Sequence, residues 1–186
     1  FKIIFIKKVK ILMKINLWGG PGCGKTSVAS GIFYHMKNLK MNVELVSEYI
    51  KTWAYEKKNT QSYDQLYVFA KQLRTEDLFL RNGVDHIITD SPVPMQIYYA
   101  RKYNFDCWKE LLNIAKSFDS KTKSINIFLD RTGIDYENNG RFENEIEAKE
   151  ADCKIYEFMT QFTDSFTVIK TTHFDEIISY VLHQIE

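Results

Sequence analysis

The chain has little cysteine. Cys23, Cys107 and Cys153 are its only three in 186 residues, too few and too scattered for a disulfide framework or a zinc knuckle. A reducing, cytosolic setting fits them best. No apolar run reaches the length of a membrane span. The opening FKIIFIKKVKIL is apolar and basic, yet lacks the long apolar core and small-residue cleavage site of a signal peptide. A dominant charge sign is missing too, since 25 Lys+Arg against 24 Asp+Glu leave +1. That argues against binding nucleic acid across the whole surface, which needs a stronger basic excess. The four histidines show no metal-ligand spacing. Internal repeats, low-complexity tracts and linkers are also wanting. These absences leave one compact domain, long enough to bury a core and rich in aromatics at 15%. Met13 reads as the natural start of that domain, with residues 1–12 an upstream extension or an added strand. Heavy use of Lys, Asn and Ile points to an AT-rich genome, that of a phage or a low-GC bacterium.

What is present is concentrated in LWGGPGCGKTSVA, Leu17 to Ala29. Gly19-x-x-x-x-Gly24-Lys25-Thr26 is the complete phosphate-loop pattern, set between a strand and a helix. Its glycines let backbone N–H groups turn inward around phosphate oxygens at the positive end of the helix. The expected nucleotide contacts are Gly20, Pro21, Gly22, Cys23, Gly24, Lys25, Thr26 and Ser27. Lys25 would reach the β- and γ-phosphates of ATP, and the Thr26 hydroxyl would ligate Mg²⁺. Cys23 occupies a free position of the pattern and has no chemical role of its own.

Periodicity orders the rest. Lys14–Trp18 reads as a strand, followed by a helix from Lys25 with Val28, Ile32, Met36 and Leu39 on one face. Asn42–Tyr49 reads as a second strand. A polar, aromatic stretch leads to a helix over about 63–81, its buried stripe being Leu66, Phe69, Ala70 and Leu73. His86–Pro92 is a third strand ending in an acid. Helices over about 93–102 and 105–118 precede a fourth strand at Ser124–Arg131. A polar, glycine-punctuated segment then passes into a helix carrying Ala151, Ile155, Phe158, Met159 and Phe162. Phe166–Lys170 is a fifth strand, and Thr172 with Asp175 caps the last helix. Alternating strands and helices predict an α/β fold, a parallel sheet flanked by helices. Ligands of such sheets gather beyond the carboxyl ends of the strands, where the glycine loop, Glu48, Asp90 and Arg131 all fall.

Asp90 ends an apolar strand, the position of a metal-side acid. Ser91 follows it, where motor ATPases commonly carry a Glu that polarises water, so rapid hydrolysis has no obvious base. Glu48 is either a carboxylate that takes a proton from an attacking hydroxyl or an exposed strand-end acid. Arg131 and Arg141 flank a segment of low apolar content, which reads as a lid over about 131–150 that stabilises charge on a transferring group. Gln65, Phe69, Gln72 and Glu76 share one helical stripe. That stripe is either a base-reading surface, with amides on the base edge and a ring to stack on it, or a solvated edge beside the core. Arg74, Tyr98, Tyr99 and Arg101 are further candidates for substrate contact.

Through GGPGCGKTS, VELVSEY, DQLYVFAKQLR, IITDSPVP and NIFLDR…YENNGR, the chain resembles the small phosphate-loop kinases. The group includes nicotinamide riboside kinase-like domains and phage proteins labelled AAA ATPases. The resemblance implies a five-stranded parallel sheet with a lid, MgATP as donor and a small nucleoside or nucleotide acceptor. It implies catalytic roles for Lys25, Glu48, Asp90, Arg131 and Arg141, and metal ligation by Thr26 and Asp90. Expected substrate contacts are Glu48, Phe69, Gln72, Arg74 and Tyr99. Deoxynucleoside kinases place Arg directly after a strand-end acid, and Ser91 departs from that pattern. Two other readings stay open: phosphorylation of hydroxymethylated bases within DNA, and a nucleotide-binding switch without transfer. A homodimer is compatible with all of them, and no membrane partner is expected.

Overall fold

The computed structural model describes residues 12–58, 60–61 and 63–185. The reading of residues 1–12 as an extension or added strand therefore lies, Leu12 apart, outside the described residues.

Five parallel strands alternate with helices: β1 Met13–Trp18, α1 Lys25–Asn38, β2 Val43–Val46, α2 Lys51–Tyr55, α3 Asp64–Arg81 and β3 His86–Thr89. There follow α4 Met95–Lys102, α5 Trp108–Asp119, β4 Lys123–Asp130, α6 Glu145–Phe162, β5 Thr167–Lys170 and α7 Phe174–Ile185. The sheet order is β2-β3-β1-β4-β5, all neighbours parallel. β1 is therefore the central strand, and its carboxyl end opens between those of β3 and β4. That is where the chain reverses its winding direction, so the crevice there has no crossover to fill it.

β1 shows how the two layers form. Met13, Ile15 and Leu17 pack with Val28, Ile32 and Met36 of α1 and with Ile177 and Val181 of α7. The opposite side of β1 carries Lys14, Asn16 and Trp18, all buried under α3–α6. Buried polar groups need partners, and the nitrogens of all three have them, although Asn16 Oδ1 does not. Lys14 Nζ meets Asp119 Oδ1 at 2.5 Å and lies over the Phe118 ring. Asn16 Nδ2 and Trp18 Nε1 both donate to Asn126 Oδ1, each at 3.0 Å.

Four local expectations change. Leu39 falls beyond the end of α1 and is half exposed rather than on its buried face. On α3 the buried residues are Gln65, Val68, Phe69, Gln72, Glu76 and Leu80, whereas Leu66 and Ala70 face outward. The helix is rotated because its polar side chains find partners inside: Gln72 Nε2 donates to Thr89 Oγ1 at 3.3 Å, and Glu76 Oε1 accepts from the Val93 N–H at 2.9 Å. Thr172 does not cap α7. The His173 N–H closes a turn on the Lys170 carbonyl, leaving Thr172 inside that turn and one residue too early. The fourth change is α2, a short helix in the stretch read as irregular. α6 adds a capping box, with the Asn144 side chain accepting from Glu147 N and the Glu147 carboxylate from Asn144 N.

Candidate active site

The loop after β1 wraps around its own lysine. Lys25 Nζ donates to the carbonyls of Gly19 at 2.8 Å and Gly20 at 2.7 Å. Gly24 starts α1 from the left-handed region, φ 87°, and a Cβ there would come 2.6 Å from the Thr171 methyl. Only glycine meets both demands without strain. Thr171, just past β5, also donates its hydroxyl to the Cys23 carbonyl at 2.9 Å, buttressing the loop from the next strand but one. Cys23 is buried and its thiol faces the core.

From the other side, α6 clasps the loop. Asp152 Oδ1 accepts from the Gly20 N–H at 2.6 Å, while its Oδ2 pairs with Arg131 Nε. The Arg131 guanidinium also donates to the carbonyls of Pro21 at 3.0 Å and Ala148 at 3.1 Å. Arg131 is thus tied into the loop's frame. Arg141 differs, for its Nε is buried and no protein group accepts from it. The segment expected as a lid is irregular through Asn144, and α6 begins at Glu145. Tyr136 within it lies against Gly22 and donates its hydroxyl to the Glu143 carbonyl at 2.5 Å.

Asp90 is the hub. Its Oδ2 accepts the Thr26 hydroxyl at 2.7 Å, and its Oδ1 accepts the Glu48 backbone N–H at 2.8 Å. One buried carboxylate therefore sets the distance between the loop's hydroxyl and the end of β2. Ser91 is fully buried; its hydroxyl accepts from Gln96 Nε2 at 2.8 Å and reaches Glu48 Oε1 at 3.5 Å. Burial pushes the Glu48 carboxyl above its ordinary value; Lys25 opposes this and Asp90 adds to it. A raised carboxyl in a cleft has the character of a general base.

Glu48 and Gln96 line a cavity of about 220 Å³, walled also by Lys25, Thr26, Gln65, Tyr99 and Arg141, with Asp90 and Ser91 buried behind its wall. Tyr99 titrates well above its ordinary value through burial, helped by Glu48 and Glu143. A larger cavity of about 730 Å³ adjoins it and shares Tyr103, Phe142 and Glu143 as a wall. Of the expected substrate contacts, Glu48 and Tyr99 line the smaller cavity. Phe69 and Gln72 do not, because α3 turns them into the core under β3, and Arg74 points to solvent. Gln65, one turn earlier on the same stripe, lines it instead. Sequence reasoning missed Asp152, Tyr136, Gln96, Thr171 and Lys51, which lines the cavity and whose Nζ reaches Thr26 Oγ1 at 3.5 Å. None carries a local signature: Asp152, Tyr136, Lys51 and Thr171 meet the loop only after folding, and Gln96 is fixed by Ser91 five residues before it.

The fit to a metal follows from the donor chemistry. The Thr26 hydroxyl and Asp90 carboxylate are hard oxygen donors suited to Mg²⁺, which takes few protein ligands and completes its shell with water and phosphate oxygens. No group of three or more His, Cys, Asp or Glu that could cage a metal occurs among the described residues.

A central glycine loop on a 2-3-1-4-5 parallel sheet, with a strand-end acid against the loop threonine, defines the phosphate-loop nucleotide-kinase-like class. Residues 14–176 match the AAA domain family, and the chain belongs to it. Solved structures agree on the fold. NadR in complex with NAD and AMP-PNP aligns at TM-score 0.70 and 11% identity, over 94% of this chain and 50% of that one. This chain therefore spans half the length of NadR. YorR from Bacillus subtilis, in complex with phosphorylated GDP, aligns at TM-score 0.57 and 20% identity over 93% and 95% of the two chains. The APS kinase CysC of Mycobacterium tuberculosis aligns at 0.50 and 10% identity over 94% and 98%. No curated protein matches the sequence. No described helix is long and apolar enough to cross a membrane.

Proposed function

We propose that the protein is a MgATP-dependent kinase that transfers the γ-phosphoryl group to a hydroxyl of a nucleoside, nucleotide or related small acceptor. The observation that carries this reading is the double use of Asp90, which joins the Thr26 hydroxyl and the Glu48 backbone in one cavity. Lys25 and the glycine loop hold the donor phosphates, Arg131 keeps that loop in place, and Thr26 with Asp90 would hold Mg²⁺. Bound there, the metal offsets the negative charge of the phosphate oxygens. Glu48 takes the proton of the acceptor hydroxyl as its oxygen bonds to the γ-phosphorus and the bond to the β–γ bridging oxygen breaks, releasing ADP. Arg141, whose buried Nε has no protein acceptor, receives charge on the transferring group, and Phe142 and Glu143 beside it exclude water. Structural neighbours that include an APS kinase and complexes with AMP-PNP or phosphorylated GDP support this choice of chemistry. The exposed free thiols Cys107 and Cys153 accord with a reducing, cytoplasmic setting.

A second acceptor, a base within DNA, is favoured by one surface. Next to Glu48, the rings of Tyr49, Trp53 and Tyr67 cluster under Lys58 and Lys71. Aromatic rings interleaved with lysines suit single-stranded nucleic acid.

The test is incubation with MgATP and a metabolite extract, with phosphorylated products identified by mass, alongside hydroxymethyluracil-containing DNA. A product absent with Lys25→Ala and Glu48→Gln is expected. ATP turnover unchanged by every acceptor would overturn the proposal.

A further inference from the structure

We propose that Gln65 selects the acceptor by donating a hydrogen bond to a keto oxygen on a planar ring, so that the preferred acceptor carries a keto-bearing base. The inference rests on the acceptor reading of the cavity.

Gln65 stands in the first turn of α3, is 3% exposed and lines the cavity. Its Nε2 is buried and meets no protein acceptor. An amide N–H left this way costs about 1–3 kcal/mol, and folded proteins rarely keep one without use. The neighbouring amides are already engaged. Gln72, two turns deeper, donates to Thr89, and Gln96 donates to Ser91. Gln65 and Gln96 both line the cavity, and of the two only Gln65 has an amide nitrogen without a protein acceptor.

The walls indicate what it meets. Tyr99 and Tyr103 line the same cavity with ring centroids 6.5 Å apart and planes 18° from parallel, an aromatic wall suited to a planar ring. Arg141, whose Nε is a second unpartnered buried donor in the cavity wall, is cationic and suited to phosphate oxygens, whereas Gln65 is neutral and suited to a carbonyl. A ring edge that offers an amine instead of a keto group sets donor against donor. A site built around such a hydrogen bond discriminates strongly against analogues that lack it.

The test is calorimetric titration of the full chain, without ATP, with uridine, inosine, adenosine and ribose. Uridine or inosine is expected to bind at least about 10-fold more tightly than adenosine or ribose. Gln65→Leu and the isosteric Gln65→Glu, which cannot donate when ionised, should each weaken that binding about 10- to 100-fold. In turnover the loss should fall on KM, with kcat little changed. Gln65→Leu should melt at the same or a higher temperature, because an unpaired buried amide is removed. Four probes that bind equally or not at all at millimolar concentration would overturn the inference. So would wild-type affinity in both variants, or a lowered melting temperature, which marks Gln65 as structural. Gln65-dependent binding without ADP formation would sink the kinase reading alone. Transfer to a keto nucleoside that ignores Gln65 would sink this inference alone.

Discussion

The backbone N–H of Glu48 donates to Asp90 Oδ1 at 2.8 Å, while the other oxygen of that carboxylate holds Thr26. The acid at the end of β3 thereby positions the residue that ends β2, and two functions assigned to separate strands become one mechanical unit. Losing the Asp90 charge should disturb both. Asp90→Asn should raise the Mg²⁺ needed for half-maximal rate and lower kcat/KM by about 10²–10³-fold. Glu48→Gln should lower kcat by about 10²–10⁴-fold while leaving ATP binding intact. ADP formation measured across a Mg²⁺ series separates the two, and an equal effect of both variants on Mg²⁺ dependence would refute the division of roles.

The clasp on the loop should behave as a unit. Arg131 and Asp152 hold each other and hold Gly20, Pro21 and Ala148. Removing either leaves the other's charge half-buried and unpaired. Arg131→Ala and Asp152→Ala should each cost about 1–3 kcal/mol in urea denaturation. The double variant should cost little more than the worse single, with a coupling of at least about 1 kcal/mol. Additive losses would show that the pair does not act together.

Gly24 offers a test of the loop's backbone. Gly24→Ala combines a left-handed φ of 87° with a methyl 2.6 Å from Thr171 Cγ2. It should cost about 1–3 kcal/mol and weaken ATP binding more than about 10-fold. Thr171→Ser keeps the hydroxyl on Cys23 but removes the colliding methyl. In the Gly24→Ala background it should recover the steric part, leaving about 1 kcal/mol of backbone strain. No recovery in thermal melts would mean that the contact is not the cause.

Stability should fall with pH because of Glu76. Burial raises its carboxyl from the ordinary 4.5 to about 7, against the pull of Lys14 and the Val93 N–H. Its folded value lies above its unfolded one, so the contribution is complete below the ordinary value and is lost as pH rises through about 7. At about 1.4 kcal/mol per pH unit, the decline attributable to this group between pH 4.5 and 8 is about 3 kcal/mol. Glu76→Gln should flatten the dependence. Urea midpoints at pH 5 and 8 that shift equally in both proteins would exclude Glu76 as its source.

The stretch Leu17 to Ala29 by itself pointed to a phosphate-binding loop, because the pattern lies within eight consecutive residues and needs no distant partner. The five strands were legible for a related reason: strands buried on both faces are short apolar runs whatever surrounds them. Asp90 and Glu48 were visible as strand-end acids, yet their connection was not, since it joins residues 42 apart. The rotation of α3 was misjudged because Phe69 and Leu73 fit either stripe, and the choice was made by Thr89 and Val93, which the helix meets only after folding. That rotation moved Gln72 into the core and left Gln65 at the cavity. Arg131 looked like Arg141 in the sequence, but Asp152 and the Pro21 carbonyl engage the first, while the second keeps a buried Nε without a partner. Local chemistry declared what kind of loop this is. Which side chains face it was decided by hydrogen-bond partners met only on folding, from 17 residues away for Gln72 on Thr89 to 132 for Asp152 on Gly20.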